Sequence, residues 1–140
     1  MISERLNIKP TKRSPWVLFE PGRLFVMGRS IIESPSVFYE PAMRWVSRMA
    51  DSWPANTKID LGLEYINTGS IKWLYILLRR LAEIREFACN GSINWYYEQG
   101  DEDMCELGYM LKSLVECPFR VVEMNEMNDG NYEKLLAGER

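Results

Sequence analysis

The chain has 140 residues, 46% of them hydrophobic and 26% charged, a size and composition that fit one globular domain. A net charge of −3 and a pI near 5.1 argue against a nucleic-acid binder, which carries a basic stripe and a high pI. Histidine is absent, which excludes Ser-His-Asp and Cys-His catalysis, the usual general base near neutral pH and the commonest zinc ligand.

Met1–Arg13 is locally basic, through Arg5, Lys9, Lys12 and Arg13 against Glu4, and has no apolar leader-like stretch. Trp16–Glu20 and Arg23–Met27 are short strand candidates. Pro21-Gly22 between them is a strong turn pair, so the two read as a hairpin. Gly28–Pro35 reads as a loop. Ser36–Asp51 then sets Val37, Phe38, Met43, Trp45, Val46 and Met49 on a mostly helical pattern. Proline is comfortable only in a first turn, so Pro41 places the regular helix from about Glu40 to Ser52.

Pro54-Ala55-Asn56 is a turn. Within Lys58–Ile66, Ile59, Leu61, Leu63 and Tyr65 alternate with Lys58, Asp60, Gly62 and Glu64, the period of two that marks a strand. Asn67-Thr68-Gly69 interrupts it. Ser70–Cys89 follows with Ile71, Leu74, Leu77, Leu78, Leu81, Ile84 and Ala88 in a helical stripe. Asn90-Gly91 turns the chain into Ser92–Glu98, an aromatic-rich strand with Ile93, Trp95 and Tyr97 on one face. Glu102–Glu116 carries Met104, Leu107, Leu111, Leu114 and Val115 at helical spacing. Pro118 stops that helix, and Phe119–Met124 is the last strand. Glu123–Arg140 is locally acidic, and both charged ends read as solvated termini. The domain is expected over 1–124, with an acidic tail over 125–140.

The order β-β-α-β-α-β-α-β predicts one α/β domain. Its mixed sheet combines an antiparallel N-terminal hairpin with parallel strands and packs with about three helices. No apolar run approaches the roughly 20 residues of a membrane helix. The best candidate, Ile71–Leu81, is broken by Lys72, Arg79 and Arg80. Cys89, Cys105 and Cys117 are odd in number and form no CxxC pair, which fits reduced thiols in a cytoplasmic protein without membrane insertion.

Glu64–Lys72 carries the most chemistry, because it takes the chain from a central strand into a central helix. Open α/β sheets place ligands at that edge, and a helix amino terminus favours negative charge. Thr68 or Ser70 there serves either as an N-cap or as a modified hydroxyl. Neither has Glu or Gln three residues on, so the reciprocal capping box is missing. Lys72 opposes the helix dipole unless a phosphate on Thr68 gives it a partner. Asp101-Glu102-Asp103 is a second cluster, read as a helix cap, as an acidic face for a partner, or as the metal site of a hydrolase. Gly28–Glu33 matches no nucleotide-binding pattern. Its apolar Ile31 and Ile32 need cover, either from a partner or from packing beneath Phe38 and Tyr39. Trp95, Tyr96 and Tyr97 fit core packing better than base stacking.

Five features occur in this order: Gly28-Arg29-Ser30-x-x-Glu33; Phe38-Tyr39 with Pro41 and Trp45; Glu64-Tyr65-x-Asn67-Thr68-x-Ser70; Trp95-x-Tyr97; and Asp101-Glu102-Asp103-Met104. Together the chain resembles the SiaC-family regulatory phosphoproteins from about Leu6 to Val122. The resemblance implies a STAS-like fold, similar to anti-sigma-factor antagonists, and a non-enzymatic switch without a cofactor. A Ser/Thr kinase is implied to modify Thr68, and a PP2C-type phosphatase to reverse it. The unmodified form is implied to bind and activate a diguanylate cyclase, linking the switch to cyclic-di-GMP and biofilm. Tyr65, Asn67, Gly69, Ser70, Lys72, Arg29 and Glu33 are the expected partner or phosphate-loop contacts. Gly69 departs from the family pattern, where serine is usual, and is expected to loosen the loop. The alternatives are an anti-sigma-factor antagonist in a partner-switching pathway and a metal-assisted hydrolase using Asp101, Glu102 and Asp103.

Overall fold

A computed structural model describes residues 5–138 of the chain, apart from the side chains of residues 86, 88 and 89. The charges at Glu4, Glu139 and Arg140 and the thiol of Cys89 therefore lie outside the described residues. Six strands run β1 (Leu6–Ile8), β2 (Trp16–Glu20), β3 (Arg23–Ser30), β4 (Lys58–Ile66), β5 (Ser92–Glu98) and β6 (Phe119–Met124). They stand in one sheet in sequence order. The pairs β1–β2 and β2–β3 are antiparallel, while β3–β4, β4–β5 and β5–β6 are parallel.

Each parallel step needs a crossover, and these are helical: α1 (Pro35–Met49), α2 (Thr68–Ala82) with the short α3 (Arg85–Asn90), and α4 (Glu102–Leu114). Crossovers of one hand, stepping in one direction, put their helices on one face of a sheet. The larger core lies there, uniting Phe19, Val26, Ile59, Leu61, Leu63 and Trp95 of the sheet with Trp45, Leu74, Leu78, Leu81 and Leu111 of the helices. A second, smaller core forms on the other face. There Leu18, Phe25, Met27 and Tyr96 pack under Met127 and under Tyr132 of the helix that follows it, α5 (Asp129–Leu136).

The mixed sheet and its three principal helices are those the sequence predicts, and the bounds of β4, β5 and β6 coincide with the expected ones. Several details differ for physical reasons. β1 is too short to show alternation, yet Leu6 and Ile8 pack on the core, and Asn7 Oδ1 accepts the indole N–H of Trp16 at 3.0 Å. β3 runs on through Gly28-Arg29-Ser30, expected as loop, by way of a register shift at Gly28. Gly28 has φ +128°, and a Cβ there would lie 3.4 Å from Pro15 Cα, so glycine suits both the conformation and the contact.

The first helix begins at Pro35, not near Glu40, and Pro41 sits inside it. Pro41 leaves the Val37 carbonyl without an i→i−4 donor, at a residue that is 72% exposed. The second helix starts at Thr68 and breaks at Ile84, where the backbone is extended. Continued without a break, the Leu74–Ile84 stripe would turn Phe87 away from the core. The break resets the phase, and Phe87 is fully buried. The fourth helix ends at Leu114, two residues early, so that Val115 can be buried in an extended conformation. Residues beyond Met124, expected as a solvated acidic end, instead turn back as α5 and bury Tyr132 to 1% exposure. Among the described residues no helix is long and apolar enough to cross a membrane.

Candidate functional site

β3 and β4 end side by side, with Ser30 in register with Ile66. The chain leaves both strands at the same edge of the sheet. It enters α1 after Ile31–Ser34 and α2 after Asn67 alone. Asn67 holds the two exits together. Its backbone N–H donates to Ser30 O at 2.9 Å, and its Nδ2 donates to Ile32 O at 2.9 Å. Its Oδ1 accepts from Ser70 N at 3.0 Å, which makes Asn67 the N-cap of α2. Thr68 and Ser70, the caps offered by sequence, give way to the residue just before them, and Asn ranks with the best N-caps.

That assignment separates the two hydroxyls. Thr68 is the first residue of α2, is exposed, and among the described residues nothing holds its hydroxyl. Ser70 is 0% exposed, and its Oγ has no hydrogen-bond partner among the described residues. Only Thr68 presents its oxygen to solvent.

Gly69 lies against the other helix. A Cβ built on it would stand 3.1 Å from Cγ of Pro35, the first residue of α1. The amino termini of α1 and α2 therefore adjoin, and glycine serves this close approach within a helix rather than loosening a loop. Neither first turn carries a carboxylate, and the Ser34 side chain makes no capping hydrogen bond. Each helix start carries roughly half a positive charge from its unpaired N–H groups. Two such ends with no acid in either first turn favour an added anion.

Around Thr68 the surface is mixed. Tyr65 is 60% exposed, with the Arg29 guanidinium 5.6 Å from its ring centroid. Arg29 Nε also reaches Glu64 Oε1 at 3.3 Å. Lys72 is exposed in the second turn of α2 and has no ion-pair partner among the described residues. Glu33 is exposed in a shallow cleft with Arg13, Ser14, Ile31, Ile32 and Ser34. The expected contacts from β3 and from the β4–α2 junction thus share one sheet edge.

Two further residues at this edge escaped the sequence reading. Arg13 O accepts Ile31 N at 2.8 Å, which brings the basic N-terminal segment here. No spacing signals such a loop-to-loop contact. Val37, expected on a helical core stripe, faces solvent on the first turn of α1. Its apolar character was visible and its direction was not. Ile31 and Ile32 stay half-buried in the cleft beside Glu33. Ser30 Oγ and Tyr39 OH are hydrogen-bonded at 2.7 Å and buried beneath the site. Burial pushes the Tyr39 phenol up to about 12, partly offset by that hydrogen bond.

The acidic cluster behaves as a cap. Asp101 Oδ1 accepts Met104 N at 3.1 Å, and Glu102 and Asp103 occupy the first turn of α4, where they suit the dipole. Among the described residues no group of three His, Cys, Asp or Glu side chains is placed to hold a metal ion. Trp95 and Tyr96 are buried in the two cores and offer no stacking platform. Cys105 and Cys117 are free thiols, and burial raises the pKa of Cys117.

The family model described as SiaC family regulatory phosphoprotein matches residues 8–124. An uncharacterized protein of Pseudomonas aeruginosa (strain UCBPP-PA14) is 28% identical over 123 residues, spanning 86% of this chain and 98% of that protein. The crystal structure of apo-SiaC from Pseudomonas aeruginosa is similar with a TM-score of 0.76 and 26% identity, over 85% of this chain and 98% of the other. A chain in the crystal structure of the diguanylate cyclase SiaD in complex with its activator SiaC, from the same species, has a TM-score of 0.78 and 27% identity. The match covers 85% of this chain and 99% of that one.

Proposed function

The chain belongs to the SiaC family of regulatory phosphoproteins, and from that premise we propose that it is a non-enzymatic cytoplasmic switch regulated at Thr68. A Ser/Thr kinase adds a phosphate to the Thr68 hydroxyl, and a PP2C-type phosphatase removes it. The unmodified form binds and activates a diguanylate cyclase, so cyclic-di-GMP is the output. One observation carries the choice of residue. Thr68 is exposed and unbonded where two helix amino termini adjoin, while Asn67 does the capping and Ser70 is buried.

Phosphate would add about −1.5 to −2 charges at this point. The two helix ends stabilise that charge, and Lys72 stands four residues along the same helix, the spacing of a favourable pair. The same charge alters the surface a partner meets, where Tyr65 and Val37 are the exposed apolar groups. Docking is then lost by desolvation cost and by bulk. The complex of the related SiaC with the cyclase SiaD supports this class of partner.

Intact mass of the protein from its own host, with and without phosphatase treatment, tests the modification. A removable phosphate mapped to Thr68 is the expected result, and one mapped to Ser70 would displace the site. Thr68→Ala should bind and activate the cyclase irrespective of the kinase, while Thr68→Glu should bind at least about tenfold more weakly, a loss of about 1.4 kcal/mol. Equal binding by both variants would remove the switch.

A further inference from the structure

Helix α5 lies beyond the residues that the family model matches, which end at 124. It is nonetheless firmly seated. The Arg23 guanidinium donates to Leu135 O at 2.9 Å and to Leu136 O at 2.8 Å, meeting the carbonyls at the carboxyl end of the helix. At the other end Glu98 Oε2 accepts Met127 N at 2.7 Å, and Asn128 caps the first turn through Asn131 N at 2.8 Å. Between them Tyr132 OH donates to Glu64 Oε2.

Held this way, α5 packs over Leu18, Phe25, Met27 and Tyr96, which lie on β2, β3 and β5. It leaves the β6 side open. A cleft of about 320 Å³ lies between α5 and that strand, within the range of small-molecule sites. Tyr96, Val122 and Leu135 give it an apolar lining, and Asn94, Asn131, Arg120 and Lys134 supply the polar groups.

Two cations, Arg120 and Lys134, and two carboxylates, Glu123 and Glu126, line it. Arg120 and Lys134 have no ion-pair partner among the described residues. The two carboxylates accept hydrogen bonds from neutral groups. Glu123 accepts Tyr97 OH at 3.4 Å, and Glu126 accepts Asn128 Nδ2 at 3.4 Å. Asp60 is buried and takes Arg23 at 3.4 Å, Asn94 Nδ2 at 3.2 Å and Tyr96 OH at 3.2 Å. Asn94 thus spends one of its two amide N–H groups on Asp60 and keeps its oxygen as an acceptor.

We propose that this cleft is a binding site for a small organic anion with an apolar body. The anionic group meets Arg120 and Lys134, and the body rests on Tyr96, Val122 and Leu135. A bound ligand would join α5 to β6, on the opposite face of the sheet from α1, α2 and α4. The site is independent of the Thr68 reading.

Phenylacetate and phenyl phosphate serve as probes of the two head groups, with neutral phenylacetamide as control, in an NMR titration of the full-length protein. Saturable shifts at Asn94, Val122, Asn131 and Leu135 are expected with at least one anion, and the tighter of the two identifies the head group. The Arg120→Ala/Lys134→Ala double variant should weaken binding by about tenfold or more. Both side chains are exposed, so its remaining spectrum should match the parent. Leu135→Trp should fill the cleft and abolish the shifts. Absence of saturation by either anion at about 10 mM would overturn the proposal. So would a double variant that titrates like the parent, or an amide control that binds as well as the anions.

Discussion

Asn67 does three jobs with one side chain and one backbone N–H, whereas Thr68 beside it does none that the fold needs. Asn67→Ala removes a helix cap and should cost about 1 kcal/mol or more in urea unfolding, while Thr68→Ala should stay within about 0.5 kcal/mol of the parent. A large loss from Thr68→Ala would mean that the threonine is structural. The junction was legible in the sequence because alternation stops and a helical stripe begins. The identity of the cap was not, since Asn, Thr and Ser all cap well. A contact between residues 35 positions apart, Asn67 Nδ2 to Ile32 O, decides it. The buried Tyr39 carries a second consequence. Its phenol titrates near 10 in the unfolded chain and about 12 in the folded one, so the folded state keeps the proton longer. Stability is therefore level up to about pH 10 and falls as pH rises toward about 12, by at most about 1.4 kcal/mol per unit. Burial and its hydrogen bond to Glu64 raise Tyr132 in the same direction, so Tyr39→Phe should flatten the alkaline slope without abolishing it. Urea midpoints between pH 9 and 12, taken for both proteins, check this.

At the scale of elements, what the sequence shows depends on where the deciding contact lies. β4 and β5 announce themselves by local pattern, and Asn-Gly and Pro mark the turns around β5 and β6. The break after α2 has no glycine or proline to mark it, because it answers to Phe87 reaching the core. The early start of α1 was hidden by a sound rule about proline, which fails here because Val37, one turn before Pro41, lies on the exposed side of the helix. Packing of α4 on β5 turns on a single small residue. A Cβ on Gly108 would sit 2.5 Å from Cδ1 of the fully buried Trp95, whose indole N–H is fixed to Met104 O at 3.0 Å. Gly108→Ala gains helix propensity of about 1 kcal/mol, but overpacking against Trp95 costs typically about 1–3 kcal/mol. Net destabilisation is expected in a thermal melt, with a change in tryptophan emission. A stabilised variant would show that Trp95 has room to yield.

At the scale of the molecule, the two faces of the sheet are covered by different means. Crossover helices bury one face as an unavoidable product of parallel pairing, so the sequence order alone foretold them. The other face is covered over β2, β3 and β5 by α5, whose sequence carries too few apolar residues to stand out from its charges. Its seat is made of single long-range partners, Arg23 and Glu64 among them, which no periodicity reveals. Tyr132→Ala should cost about 3 kcal/mol or more by removing a buried ring, and Tyr132→Phe about 1 kcal/mol by removing the hydrogen bond to Glu64. Equal losses from the two would assign the whole effect to the hydroxyl. Because the strands stand in the sheet in the order in which they are made, each can add to a finished neighbour as the chain leaves the ribosome. The helical face is shielded along the way, one crossover at a time. The opposite face keeps Leu18, Phe25 and Met27 uncovered until Tyr132 docks on them. Docking of α5 is thus the step that hides this apolar patch from other chains.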